Sequence, residues 1–320
     1  MRVVVLSGGV SSEHDVSIRS GASVATGLLE SGHEVLELVI ERDGRWLCDG
    51  AEVELRAAAG LLGAEAAFPV LHGPGGEDGT VQGTLEVLGI PYVGSQVAAS
   101  ANCLDKLTFK TLMKAAGIPQ VDYADASGDG WRERAEELGL PAWVKPARLG
   151  SSVGITKVED AAGLEAAVEA ARRHDPRVIV EASASGAEVE CSLLGNDDVI
   201  ASVPGEVVAH ADWYDFEAKY ADQGMELHIP ARIPESATTR VRELAVSAFK
   251  LTGCSGLGRC DFFVDGERVV VNELNTMPGF TETSVYGKLL EASGILYSEL
   301  CDRLIQLAIE RHQRLSEYRF

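Results

Sequence analysis

Positive charge is scarce in this sequence. Its 320 residues hold 28 Lys and Arg against 49 Asp and Glu, a net charge of −21. A protein that grips duplex nucleic acid carries a basic excess, so this balance argues against such a partner. It does not exclude a phosphate ligand, which local geometry can hold. Long apolar runs are also missing. The opening apolar stretch ends at Gly8-Gly9 and a polar Ser-Ser-Glu-His-Asp, too short for a signal core or a membrane span. Cysteines stand only at 48, 103, 191, 254, 260 and 301, with no Cys-x-x-Cys pair. In a chain this long that pattern reads as free thiols in a reducing cytoplasm, not as a disulfide framework or zinc site. Internal repeats and low-complexity tracts are absent. What is there is a globular composition, 46% apolar and 24% charged. At roughly 100–200 residues per domain, the length predicts two or three domains.

The element pattern is α/β. Residues 2–6, 34–40 and 68–71 read as buried strands, with an amphipathic helix over 16–29 between the first two. That β-loop-α-β rhythm predicts a parallel sheet. A helix over 79–88 and a strand over 90–93 follow, then a helix over 105–116 closed by Gly117 and stopped by Pro119. Strands are expected at 142–145, 177–181, 188–194, 199–203, 259–264 and 268–275, and helices at 160–173, 236–251 and 296–315. Residues 213–225 are polar, aromatic and aperiodic, a long loop of the kind that usually carries function.

Four stretches carry chemistry. Residues 144–154, Val-Lys-Pro-Ala-Arg-Leu-Gly-Ser-Ser-Val-Gly, put a strand-end lysine before a glycine–serine loop. Backbone N–H groups and the Ser151 and Ser152 hydroxyls can surround phosphate oxygens, with Lys145 as a fixed cation. The Gly-Lys-Ser/Thr order of a Walker A loop is missing, and the bland alternative is a surface turn. The second is Gly258-Arg259-Cys260-Asp261 with Asn272-Glu273-Leu274-Asn275. Carboxylate and amide oxygens on one strand face suit Mg²⁺, which prefers hard oxygen ligands plus substrate phosphates. A two-residue turn at Asp265-Gly266 would turn Asp261 away from Glu273. The metal reading therefore requires a turn with an odd residue count, or a bulge, placing Asp261 across from Glu273 and Arg259 across from Asn275. The alternative is a polar edge hairpin facing solvent. The third, Gly8 to Ser17, places Glu13 in a strand-to-helix turn, where doubly wound sheets hold ligand-contacting residues. A helix-capping or dipole role is the plainer reading. The fourth, His72-Gly-Pro-Gly-Gly-Glu-Asp-Gly79, sets an imidazole at a strand's carboxyl end beside tight backbone.

In this order and spacing the motifs resemble D-alanine–D-alanine ligases of the ATP-grasp superfamily, from Gly8 to about Tyr286. The resemblance rests on Gly-Gly-x-Ser-x-Glu, His-Gly-x-x-Gly-Glu-Asp-Gly, Asp105-Lys106, Lys145-Pro to Gly154, Glu217-Ala-Lys-Tyr220, Gly-Arg-x-Asp261 and Asn275-Thr-x-Pro-Gly279. It implies a three-domain ATP-grasp fold: a Rossmann-like amino-terminal domain (1–102), a central subdomain (103–183) and a carboxy-terminal subdomain (184–320) with a lid over 212–224. The reaction it implies has two steps. ATP phosphorylates one D-alanine, and the amine of a second displaces phosphate from the acyl phosphate.

By the same resemblance Lys106, Lys145 and Lys219 would meet ATP, with Ser151 and Ser152. Two Mg²⁺ ions, or Mn²⁺, would sit on Asp261, Glu273 and Asn275. Arg259 and the Gly279 N–H would face the developing oxyanion. Glu13 would hold the first ammonium and connect through Ser151 and Tyr220 to the lid. His72 would lie near the substrates, Ser284 would hold the second carboxylate, and Val285 would line its pocket. Glu181 and Glu188 would take the adenine amino group and the ribose hydroxyls. A lid tyrosine goes with dipeptide formation and a phenylalanine with D-lactate esters, so Tyr220→Phe should raise ester formation. Ala182, Val285 and Gly287 depart from the usual basic residue, Leu or Met, and Pro.

The resemblance further implies a cytoplasmic homodimer without nucleic-acid or membrane partners, serving peptidoglycan synthesis. Competing readings are a paralogue that takes D-serine or serves an antibiotic producer, and a nucleotide-binding sensor with an inherited fold. The charge divides unevenly: −9 over 1–102, −2 over 103–183 and −10 over 184–320. The stretch expected to grip phosphate is thus the least acidic.

Overall fold

The structure is a computed structural model and describes residues 1–151, 153–209, 225–281 and 284–318. Three sheets carry the chain. The first has the order β4-β3-β2-β1-β5. β1 (Arg2–Gly8) runs parallel to β2 (Glu34–Ile40) and to β5 (Ala66–Pro69). The short β3 (Trp46–Cys48) and β4 (Ala51–Glu52) add antiparallel at one edge. The Val-Val-Val-Leu run of β1 is buried on both faces, as a central parallel strand must be. α1 (His14–Glu30), α2 (Thr80–Leu88) and α3 (Val97–Leu104) belong to this part of the chain. The strand expected over 90–93 is not formed. Tyr92 makes a single parallel bridge to Ala67, flanked by the Ala67 N–H on the Pro91 carbonyl and the Val93 N–H on the Ala67 carbonyl.

The second sheet is antiparallel, with β6 (Tyr123–Asp125), β7 (Ala142–Pro146), β8 (Thr156–Val158) and β9 (Val178–Ala182) in the order β6-β9-β7-β8. α4 (Lys106–Ala115) leads into it, and α5 (Trp131–Leu138) and α6 (Ala161–Arg172) pack with it. Asp105 caps α4 by accepting the Thr108 N–H at 3.1 Å, which fixes Lys106 as the first helical residue.

The third sheet is antiparallel in the order β13-β12-β10-β14-β15, with β11 (Ile200–Ala201) on β10 (Ala187–Gly195). Its other strands are β12 (Gly205–Ala209), β13 (Met225–His228), β14 (Gly256–Asp265) and β15 (Arg268–Asn275). α7 (Glu235–Thr252) covers one face, and α8 (Val285–Ala292) and α9 (Tyr297–Ser316) close the chain. α9 packs on α1, so Val24, Leu28 and Phe68 share one apolar cluster with Tyr286, Leu300 and Leu304. Arg311 of α9 reinforces this seam. Though 6% exposed, it donates to the carbonyls of Gly94 and Tyr92 and to the Ser255 hydroxyl.

The β14–β15 hairpin decides the metal question. Its turn is Gly266-Glu267, since Asp265 pairs with Arg268. The left-handed backbone is confined to Gly266, at φ 57°, as a type II′ hairpin turn requires of its first central residue. An even turn alone would set Asp261 opposite Asn272 and send Glu273 toward the core. A bulge at Asn272 of β15 restores the parity: Phe262 pairs with Val271, but Asp261 pairs with Glu273 and Arg259 with Asn275. The expected register is therefore formed, through the bulge and not through an odd turn. Among the described residues no helix is long and apolar enough to cross a membrane.

Candidate active site

Three loops meet where the sheets face one another. From the first sheet comes the β1–α1 turn. Glu13 precedes α1 and is buried; the Ser151 hydroxyl of the glycine–serine loop donates to its Oε1. Ser151 holds φ 50°, a left-handed conformation uncommon for a residue with a Cβ and typical of functional loops. Gly73 is equally constrained. Its φ is +70°, and a Cβ there would lie 2.4 Å from Glu13 Oε2. Only glycine lets the backbone pass this close to the carboxylate.

His72, beside Gly73, is fully engaged. Its Nδ1 lies 3.1 Å from the Met277 carbonyl, so Nδ1 carries the proton. Nε2 then accepts from Ser20 Oγ at 3.1 Å, and Ser20 Oγ accepts the Phe280 N–H at 3.3 Å. Burial holds the imidazole below its usual range against the pull of Glu13. His72 therefore ties the Glu13 loop to the segment after β15 instead of offering a free ring nitrogen. Glu77 makes a second tie, accepting from Gly73 N at 2.7 Å and Met277 N at 3.3 Å. Burial, and then the nearby charge of Glu13, push its carboxyl up to about 8.

The second sheet contributes the cations. Lys106 donates to the Leu149 carbonyl at 2.8 Å and lies 3.6 Å from Glu273. Lys145 of β7 pairs with Glu181 of β9. Burial pushes Lys145 down, but Glu181, Glu273 and Glu188 outweigh it and leave the ammonium raised. Lys110 of α4 pairs with the same carboxylate at 3.0 Å. Burial raises Glu181, yet Lys110 and Lys145 overcome that and hold it at about 2.

The third sheet contributes the acids. On the face shared by β10, β14 and β15, Glu190 pairs in register with Asp261, which pairs with Glu273. Arg259 grips Asp261 through two bonds of 2.7 and 2.8 Å and reaches Glu190 at 2.9 Å. Burial lowers this guanidinium, but Asp261 and Glu190 raise it well above its usual value. Asn275 Nδ2 donates to Asp261 at 3.0 Å. Among the described residues no three Asp, Glu, His or Cys groups converge as a metal cage. Two carboxylates and an amide on adjacent strands instead fit a divalent ion that completes its shell with phosphate oxygens and water.

Near the chain's close, Ser284 Oγ accepts the Thr281 N–H at 2.9 Å, and a Cβ on Gly279 would lie 3.0 Å from that oxygen. Val285, the first residue of α8, is buried. A Cβ on Gly287 would meet the Tyr297 ring at an ordinary 3.5 Å.

The structure thus brings Glu13, His72 and Ser151 together at one end. Lys106, Lys145, Glu181, Arg259, Asp261, Glu273 and Asn275 gather at the other. Glu77 feels both Glu13 and Glu273, which links the two ends. Glu188 lies on the same strand face as Glu190, opposite Phe263. Ser152, Lys219, Tyr220 and the loop 212–224 lie outside the described residues. Three residues escaped the sequence reading: Lys110, Glu190 and Glu77. Glu190 was signalled by period two from Glu188, and Lys110 by its place on the apolar stripe of α4.

A family model described as D-ala D-ala ligase C-terminus matches residues 112–306, and its N-terminal counterpart matches 2–62 and 50–95. A D-alanine--D-alanine ligase of Deinococcus radiodurans is 47% identical over 97% of this chain and 98% of its own. One from Caldicellulosiruptor bescii is 40% identical over 100% and 98%. Among solved structures, the D-alanine-D-alanine ligase of Coxiella burnetii superposes with a TM-score of 0.90 at 35% identity, covering 99% of this chain and 96% of that one. The VanG D-Ala:D-Ser ligase of Enterococcus faecalis gives 0.85 at 34%, covering 96% and 99%. Its sequence and its fold agree, and the chain belongs to the D-ala D-ala ligase family.

Proposed function

We propose that this chain is an ATP-dependent ligase that joins two D-alanines through a D-alanyl phosphate, releasing ADP and phosphate, in the cytoplasmic synthesis of a peptidoglycan precursor. The observation that carries this reading is the charge layout of the seam. A buried carboxylate, Glu13, stands at one end. At the other, Lys106 lies against Glu273, Lys145 against Glu181 and Arg259 against Asp261, which faces Glu273. An amino acid with its ammonium on Glu13 would present its own carboxylate toward the cations.

The roles follow from chemistry. Lys106 and Lys145 bind phosphate oxygens with the loop hydroxyls of Ser151 and Ser152, and Lys219 joins them from the lid. Glu181 accepts the adenine amino group and Glu188 the ribose hydroxyls. Two Mg²⁺ ions, with Mn²⁺ as the alternative, would be held by Asp261, Glu273 and Asn275, and would neutralise phosphate charge when bound. Arg259 and the Gly279 N–H donate to the oxyanion of the tetrahedral intermediate. Ser284 holds the second substrate's carboxylate beside Val285, and Tyr220 closes the lid through Ser151 and Glu13. Water exclusion matters because an acyl phosphate hydrolyses. The units 1–102, 103–183 and 184–320 act as amino-terminal, central and carboxy-terminal domains. A homodimer forms through the first, supported by the apolar Leu55 and Val87 that it leaves exposed.

Phosphate release with ATP and single D-amino acids, with mass spectrometry of the product, tests this. D-alanine should give a dipeptide, and Glu273→Gln should lower its rate by about 10²- to 10³-fold. Faster turnover with D-serine, or full activity in Glu273→Gln, would contradict the proposal.

A further inference from the structure

One charged side chain sits on the buried stripe of α4. Lys110 is 1% exposed, packed with Leu107 and Met113 on either side along the helix. Its Nζ lies 3.0 Å from Glu181 Oε1 and donates to the Val121 carbonyl at 3.3 Å. The ammonium also stands 5.9 Å from the Tyr123 ring centroid. The other oxygen of Glu181, Oε2, holds Lys145. One carboxylate thus serves two ammonium groups, one on each oxygen.

The two lysines are not equivalent. Both feel Glu273, but Lys110 is sealed inside the central unit, whereas the Lys145 side chain keeps 15% exposure and is also attracted by Glu188 across the seam. If Lys145 binds phosphate, it must leave Glu181. If Glu181 accepts the adenine amino group on Oε2, Lys145 competes for that oxygen. Both requirements concern the same bond. Breaking it would leave a buried carboxylate uncompensated unless a second cation stayed behind. Lys110 is that cation, and because it holds Oε1 it also fixes the direction of Oε2.

We propose that Lys110 is a positioning residue for the nucleotide: the permanent counter-ion of Glu181, which frees Lys145 for phosphate and aims Glu181 Oε2 at the adenine amino group. This rests on the reading of Glu181 and Lys145 as ATP contacts. Lys110 touches neither nucleotide nor substrate itself. Without it, releasing Lys145 leaves the buried Glu181 carboxylate with no cation, so nucleotide binding costs more.

Lys110→Met, Glu181→Gln and the double variant test the proposal in steady-state kinetics with ATP and with purine riboside triphosphate, which lacks the 6-amino group. Lys110→Met should raise KM for ATP by about 10- to 100-fold, the range of a lost hydrogen bond to a charged group, and leave KM for D-alanine nearly unchanged. Its preference for ATP over the analogue should fall by about tenfold. The double variant should lose no more preference than Glu181→Gln alone, because Lys110 acts only through Glu181. A folded Lys110→Met with wild-type KM and preference overturns the proposal while the reading of Glu181 stands. Additive losses in the double variant overturn it also. Where Lys110→Met does not fold, the double variant, which buries no unpaired carboxylate, decides by this comparison. A Glu181→Gln variant that keeps the wild-type preference removes the adenine reading and the proposal with it.

Discussion

Gly73→Ala separates backbone strain from damage to the site. The residue sits at φ +70°, and the added Cβ would lie 2.4 Å from Glu13 Oε2. An ordinary carbon–oxygen contact is about 3.4 Å, so the carboxylate has to retreat by about 1 Å. Retreat breaks its bond from Ser151 and disturbs Glu77, which accepts the Gly73 N–H. Misplacement of a positioning group by about 1 Å can cost about 10²-fold in rate. The left-handed alanine itself costs about 1 kcal/mol, or about 2 °C in Tm for a chain of this size. Gly32→Ala is the matched control: its φ is +80°, with nothing within 4 Å of the added Cβ. Both variants should lose similar stability by thermal denaturation. Only Gly73→Ala should lose about 10²-fold in kcat/KM for D-alanine at saturating ATP. Equal activity in the two variants would refute the close approach of Gly73 to a working Glu13.

Glu181 makes a pH prediction. Its carboxyl titrates near 2 in the fold against a usual 4.5, so its stabilising contribution is full above the unfolded value and is lost as pH falls toward the folded one. Urea unfolding of wild type and Glu181→Gln should show their stability difference shrinking by about 2 kcal/mol from about pH 6 to about pH 3; a constant difference would show that Glu181 is not held by its lysines. Arg311→Met removes the guanidinium donor from the carbonyls of Tyr92 and Gly94 and leaves Gly94 only the Ser255 hydroxyl at 3.4 Å. It should cost about 3 kcal/mol and lower Tm, an unchanged Tm counting against Arg311 as the clasp between α9 and the segment joining α2 to α3.

What could be read without coordinates was whatever depends on local spacing. The strands β1, β2, β7, β14 and β15, the helix α4 and the motif residues all follow from period and residue type. The face that β15 presents does not. Asn272 gives no sign that it is the bulged residue, and parity across a hairpin depends on that one count. Chemistry alone required Asp261 to meet Glu273, and the bulge is how the backbone complies. Partners distant in sequence were illegible for another reason. Lys110 and Glu181 stand 71 positions apart and meet only once α4 packs on β9. A lysine on an apolar stripe announces a buried partner but cannot name it. For His72 the motif announced an imidazole at a strand end, yet its role depends on the Met277 carbonyl, 205 positions away.

The acidity of the chain takes on a specific meaning at the seam. Lys106, Lys110, Lys145 and Arg259 each lie against a protein carboxylate before any substrate arrives. A cluster of cations without such partners would repel itself and favour an open seam. With Glu181, Glu273, Asp261 and Glu190 in place, the lysines and the arginine can be buried and aimed. Nucleotide binding under the ligase reading is then an exchange of partners. Phosphate oxygens take Lys106 and Lys145 while Lys110 stays on Glu181, and the carboxylates freed on the third sheet take the divalent ions that travel with the phosphates. The acids that make the protein so negative overall are, at this one place, what allows it to keep its few cations pointed at a polyanion.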